Sequence, residues 1–232
     1  MIEIRCKATG SKGNMYVISD SNHNLLILEL GLGERDCKSI PNYQVDAILV
    51  SHHHSDHDYP FKNERMSDEM KKCNYKVYTC DDLEPLHYYK FNDYEVIPFE
   101  NEHNVKCYSY LIKVENQTIL FTTDSKIIPK INHKIDYFMV ECNYDVETWK
   151  DAIEHFKVVQ PSRLLHLSNV CDNHCSLEYN QAYFSELGYR PKGIFHIHKS
   201  NSGLLDTEKA KGIMKQFTDN YIIVNSGDRI TI

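Results

Sequence analysis

Short apolar runs broken by turn residues fill the first 125 positions, and beyond them apolar residues recur at helical spacing between further strand-like runs. The runs that read as strands are NMYVIS (14–19), LLILEL (25–30), VDAILVS (45–51), KVYT (76–79), YEVIPF (94–99), CYSYLIKV (107–114) and TILFTTD (118–124). IDYFMVE (135–141), GIFHIH (193–198), YIIVN (221–225) and RITI (229–232) follow, and Ser226-Gly227-Asp228 predicts a hairpin turn between the last two. Amphipathic spacing predicts helices at 145–157, 176–187 and 206–217. The second should start on Ser176 as N-cap, stop at Gly188 and bury Leu177, Tyr183, Phe184 and Leu187. No repeat, low-complexity run or Pro/Gly-rich linker divides the chain. The expectation is one α/β domain over residues 1–232, with strands first and a mixed half after them.

Composition narrows the class of function. The chain has 232 residues, and 26 Lys+Arg against 33 Asp+Glu leave a net charge of −7. An acidic balance argues against a broad basic surface that grips long nucleic acid by neutralising many phosphates. Thirteen His and eight Cys exceed expectation. The N-terminus has no apolar signal core, so the cysteines read as reduced thiols of a cytoplasmic protein. Cys6, Cys37, Cys73, Cys80, Cys107 and Cys142 are scattered, mostly in strand-like segments, and are expected to pack as small hydrophobes. No apolar run approaches the roughly 20 residues of a membrane span.

The chemistry concentrates where the strand VDAILVS runs into HHHSDH, residues 52–57. Four imidazoles and a carboxylate in six residues cannot all be buried and satisfied among themselves. They need a common partner, and imidazole with carboxylate suits zinc or another first-row divalent ion. His52 and His54 can point one way while Asp56 and His57 reach a second point, so the spacing describes two metals.

His52-x-His54-x-Asp56-His57 after a hydrophobic strand resembles the HxHxDH signature of the metallo-β-lactamase fold superfamily. ATGSKGNMYVI, TTDSKIIP, MVECNYD and HCSLEYNQA resemble stretches of its YycJ/WalJ-type branch of nuclease-like hydrolases. The resemblance implies a four-layer αββα sandwich with mixed sheets. It also implies further ligands: His103 in FENEHNVKCYSYLI, Asp124 in ILFTTDS and a His closing GIFHIHKS. Period-two geometry leaves both His196 and His198 open for that last place. The family's H-x-S ending favours His198, with His196 supporting it from behind. Glu29 stands where the family usually has Asp, and Asn104 where Asp is common.

By the same resemblance, His52, His54 and His103 would hold one divalent ion, Asp56, His57 and His198 the other, with Asp124 bridging. The ions, Zn²⁺ or Mn²⁺, would share a water and present it as hydroxide to a phosphodiester. Two bound ions add about +4, which concentrates positive charge in one cleft of an acidic protein. Asp56 and His174 are the expected catalytic side chains, His174 as a donor to the phosphate or leaving oxygen, though it also reads as a zinc ligand or helix cap. His166, Cys171, His174 and Cys175 make a weak candidate for an accessory zinc site, and His166 a candidate to line the pocket. Tyr59, Tyr88, Tyr89, Tyr108, Tyr144 and Tyr179 are candidates for base stacking or plain core. The expected substrate is a phosphodiester: short or single-stranded nucleic acid, or a small cyclic or dinucleotide. A homodimer is compatible with the sequence, and no membrane partner is expected. Thioester or lactone hydrolysis is the alternative. Flavodiiron redox chemistry usually has a carboxylate where this chain has His54, and a non-catalytic module would be expected to have lost a ligand.

Overall fold

The computed structural model describes residues 1–32, 44–59 and 75–232. Two mixed sheets face each other. The first has the order β13-β1-β2-β3-β4-β5: β1 (Glu3–Ala8), β2 (Met15–Ser19), β3 (Leu25–Leu28), β4 (Val45–Leu49), β5 (Val77–Tyr78) and β13 (Arg229–Thr231). The second has the order β12-β11-β10-β9-β8-β7-β6: β6 (Tyr89–Phe91), β7 (Tyr94–Glu100), β8 (Tyr108–Val114), β9 (Gln117–Thr122), β10 (Tyr137–Glu141), β11 (Gly193–Ile197) and β12 (Tyr221–Ile223). β3, β4 and β5 run parallel, as do β9, β10, β11 and β12, while β6 to β9 form an antiparallel meander.

The main core fills the space between the sheets, where Ile4, Tyr16, Leu26 and Leu49 meet Tyr110, Phe121, Met139 and Phe195. Strands buried on both faces read as continuous apolar runs, which is why LLIL and YFMVE were legible as strands. Four helices follow: α1 (Val146–Val159), α2 (Leu164–Asn173), α3 (Leu177–Glu186) and α4 (Thr207–Met214). Asp145, Ser176 and Asp206 cap α1, α3 and α4 by accepting backbone N–H groups. α3 and α4 press Leu177, Tyr183, Phe184, Ala210 and Met214 onto Leu120, Phe138, Val140 and Ile194 of the second sheet. The described residues thus give sheet, sheet and helix layers of an α/β sandwich. The expected outer helical layer on the first sheet is not among them.

Three expectations change. β12 and β13 do not form a hairpin: β12 joins β11 in the second sheet and β13 joins β1 in the first, so Ser226-Gly227-Asp228 hands the chain from one sheet to the other. β1 and β6 carry charged residues on their open faces and were not read as strands. Residues 164–173, where the spacing predicts no helix, form one, with Leu167 and Val170 buried at spacing three. Cys6, Cys80, Cys107 and Cys142 are buried as expected, whereas Cys37 and Cys73 lie outside the described residues.

Candidate metal centre

The site forms where the carboxyl ends of β3, β4, β9, β10 and β11 converge, the place where parallel strands open a crevice. β4 is buried and delivers Ser51 and the HHHSDH loop. Ser51 Oγ lies 2.9 Å from His52 Nδ1, which turns His52 Nε2 into the site. The other half of the loop is tied down by the GSKGN segment: Asn14 N donates to Asp56 O at 2.7 Å, and Asn14 Nδ2 lies 2.9 Å from His57 Nε2. Gly31 N donates back to Asn14 O at 2.9 Å. A Cβ on Gly31 would stand 1.6 Å from Asp56 O, so only glycine lets these two loops touch.

Two groups of donor atoms result, each within 4.8 Å of one another: His52, His54, His103 and Asp124, and Asp56, His57, Asp124 and His198. Asp124 belongs to both. Its Oδ2 lies 3.7 Å from His52 Nε2, and its Oδ1 lies 3.4 Å from His57 Nε2 and 3.1 Å from His198 Nδ1. Glu29, Asp124 and His198 all have φ in the left-handed region, at +68°, +44° and +49°. Non-glycine residues there cost on the order of 1–3 kcal/mol, and such strain collects at functional sites. That turn separates His198 from His196. His198 leaves β11 into the site, while His196 stays in the sheet with Nδ1 2.8 Å from the Tyr221 hydroxyl.

Electrostatics agree with a cation-binding floor. Burial pushes the Asp124 carboxyl up, yet His198 and His57 beside it hold it well below the usual carboxylate range. Burial lowers His198, but Asp124, Asp56 and Glu141 raise it to about 10. His52 and His103 are lowered, mainly by burial, and so keep neutral rings. His57 Nδ1 lies 3.4 Å from Glu29 Oε2, the placing of a carboxylate behind a metal-binding imidazole. His52 Nε2 and His198 Nε2 are buried without a hydrogen-bond partner, each aimed at a carboxylate 3.7 Å away. Orphaned buried nitrogens facing carboxylates fit divalent cations between them.

A wall stands over this floor. Glu141, at the end of β10, accepts from Ser125 N at 3.1 Å and Asn143 Nδ2 at 3.1 Å. Its Oε1 also lies 2.6 Å from His174 Nδ1 and 2.9 Å from His198 Nδ1. Asp124, Glu141, His174 and His198 form a third close group. Burial pushes the Glu141 carboxyl up, but His174 and His198 hold it below the usual range, and Glu141 in turn raises His174 against the lowering effect of burial. The sequence reasoning missed Glu141, although it stands in MVECNYD at the end of an apolar strand, where such a residue is out of place unless functional. His166, Asn169 and Asn173 of α2 line the same pocket of about 220 Å³.

Other expectations fall away. Cys171 contacts the Tyr144 hydroxyl at 3.5 Å and Cys175 is buried in the helix–sheet core, so His166, Cys171, His174 and Cys175 do not converge. None of the six tyrosines proposed for stacking lines the pocket, and Tyr108 and Tyr144 are buried. Asn104 does line it.

Comparison with known proteins accords with this geometry. No family model matches the chain. Exodeoxyribonuclease WalJ of Streptococcus pneumoniae is 26% identical over 230 residues, covering 84% of this chain and 81% of the relative. The metallo-β-lactamase fold protein YhfI of Bacillus subtilis superposes with a TM-score of 0.70 at 15% identity, covering 99% of this chain and 98% of that one. A diphosphatase of the PhnP family gives 0.63 at 13% identity, over 99% and 96% of the two chains. The short form of human tRNase Z gives 0.61 at 13%, over 99% of each. The chain therefore has the metallo-β-lactamase fold, and along most of its length it resembles the WalJ-type branch.

Proposed function

We propose that this chain is a metal-dependent phosphodiesterase that acts on a nucleic-acid end or a small nucleotide. The observation that carries the reading is Asp124, whose two oxygens face two separate groups of histidines at the base of one pocket. His52, His54, His103 and Asp124 would hold one divalent ion, and Asp56, His57, His198 and Asp124 a second, zinc or manganese by donor chemistry. Such ions supply charge stabilisation on a phosphoryl group and a water of lowered pKa. The names of the relatives, an exodeoxyribonuclease, a diphosphatase and a tRNase, support phosphoester hydrolysis.

The protein's own groups have distinct tasks. Water adds to phosphorus and the bond to the leaving oxygen breaks, so that oxygen needs a proton. His174 provides it from Nε2, because Nδ1 is engaged by Glu141 at 2.6 Å. Asp56 is the most exposed carboxylate of the floor, 23% against 4% for Asp124, and it stays ionised to orient the attacking water. The wall has hydroxyl and amide groups from Ser11, Asn104, Asn169, Asn173 and Ser200, and no Lys or Arg among the described lining residues. A pocket of about 220 Å³ with amide and hydroxyl groups beside His174 suits one nucleotide unit, with its phosphate on the floor and its sugar or base against the amides.

A substrate panel tests this. Bis(p-nitrophenyl) phosphate, 5′- and 3′-labelled oligonucleotides, cyclic nucleotides and a thioester are offered to the native chain and to Asp56→Ala, in zinc and in manganese. Cleavage of a phosphodiester that Asp56→Ala abolishes supports the proposal. Turnover of the thioester without phosphodiester cleavage overturns it.

A further inference from the structure

His53 lies between two floor histidines in sequence but faces a different set of groups. Its Nδ1 is 2.8 Å from Asp58 Oδ2 and its Nε2 is 3.1 Å from Asp81 Oδ2. A neutral imidazole has one N–H and can donate to only one of two carboxylates. His53 is thus held between two carboxylates, one on each ring nitrogen. Cys80 Sγ completes the corner: donor atoms of His53, Cys80 and Asp81 all lie within 4.8 Å of one another. Asp58 is buried and grips Nδ1, the arrangement in which a carboxylate orients a metal-ligating histidine. A tight turn holds the other two ligands: Thr79 N and Oγ1 both donate to Asp82 Oδ2 at 2.8 Å, and Asp81 N donates to Thr79 Oγ1 at 3.2 Å. Lys106 Nζ, 3.5 Å away, engages Asp81 Oδ1 and leaves Oδ2 for the corner.

We propose that His53, Cys80 and Asp81 form a further metal site, apart from the pocket, for a divalent ion that accepts a thiolate, zinc by chemistry, with Asp58 fixing the imidazole. One thiolate and one carboxylate neutralise a divalent charge, and imidazole with thiolate favours zinc over magnesium or calcium. Burial and Asp81 push the Cys80 thiol up to about 11, so binding releases its proton and strengthens as pH rises. The ion would pin the HHHSDH loop to the turn after β5 without touching substrate. The inference stands independently of the phosphodiesterase reading.

Cobalt is the probe, because thiolate-to-Co²⁺ charge transfer absorbs in the near ultraviolet and the groups around Asp124 contain no cysteine. The full chain, stripped with a chelator and titrated with Co²⁺, should develop this band to the intensity of about one thiolate-bound ion per chain, with about three ions taken up in all, two of them in the pocket. Cys80→Ser should remove the band and leave phosphodiester hydrolysis unchanged. Asp81→Asn, at a side chain 65% exposed, should weaken Co²⁺ binding at this site by about 10–100-fold. Asp56→Ala should keep the band, which separates this site from the pocket. Cys107→Ser should also keep it, although Cys107 Sγ lies 3.7 Å from His52 Nδ1. Absence of the band in the folded native chain, its survival in Cys80→Ser, or unchanged Co²⁺ affinity in Asp81→Asn overturns the proposal.

Discussion

The floor and the wall of the pocket are built by different rules. Floor residues sit on loops that leave buried strands, and backbone hydrogen bonds cross-tie them: Leu30 N to His57 O at 2.7 Å, Asp58 N to His54 O at 2.7 Å and Glu29 N to Leu49 O at 2.9 Å. Wall residues of α2 project from a helix that is largely exposed, with only Leu167 and Val170 buried. The floor is therefore preorganised for charge, and the wall is suited to adjust to what is bound. Changes in the floor should abolish chemistry. Changes in the α2 side of the wall should alter how tightly substrate is held, whereas the His174–Glu141 pair belongs with the chemistry of the floor.

The largest expected effect is at the shared carboxylate. Asp124→Ala should lower kcat/KM by at least about 10³-fold and reduce the metal bound per chain, measured by kinetics and elemental analysis. A loss below tenfold would mean that the two groups do not act together. His174→Ala follows, with about a 10²–10⁴-fold loss in kcat and little change in metal content. Glu141→Gln tests the same residue by pH. Because Glu141 raises His174, the proton-donating form persists as pH rises, and activity falls only as pH passes the raised value. Removing that charge should move the alkaline limb of the pH–rate profile to lower pH, and an unmoved limb would assign the proton to another group.

Gly31→Ala probes the floor without removing a ligand. The clash with Asp56 O should cost about 1–3 kcal/mol in thermal unfolding and lower activity with it. The smallest effects belong to the wall. Asn173→Ala and Asn169→Ala should each raise KM by the equivalent of about 0.5–1.5 kcal/mol with kcat nearly kept. A collapse of kcat in either would make α2 part of the chemistry.

Legibility followed the same division. His52, His54, Asp56 and His57 stand in one continuous motif after an apolar strand, so both their proximity and their split into two directions could be read from spacing. His103, Asp124 and His198 are brought in by strand pairing across 51 to 146 positions, and only resemblance to a known family pointed to them. His198 parts from His196 at a left-handed backbone angle of +49°, which period-two reasoning does not contain. Glu141 was passed over because it closes a fully buried strand, where the pattern shows only apolar continuity. No helix is predicted over α2 because its polar residues, His166, Asn169 and Asn173, obscure a stripe of Leu164, Leu167, Val170 and Cys171 at helical spacing. The failed hairpin has a similar cause. A Ser-Gly-Asp turn is a local signal, and which sheet each flanking strand joins is decided by distant partners.

The most direct test of the account is anomalous diffraction from crystals grown with manganese. The account predicts two peaks in the pocket, one among His52, His54 and His103, the other among Asp56, His57 and His198, with Asp124 between them. A single peak there, or one centred among Glu141, His174 and His198, would contradict it.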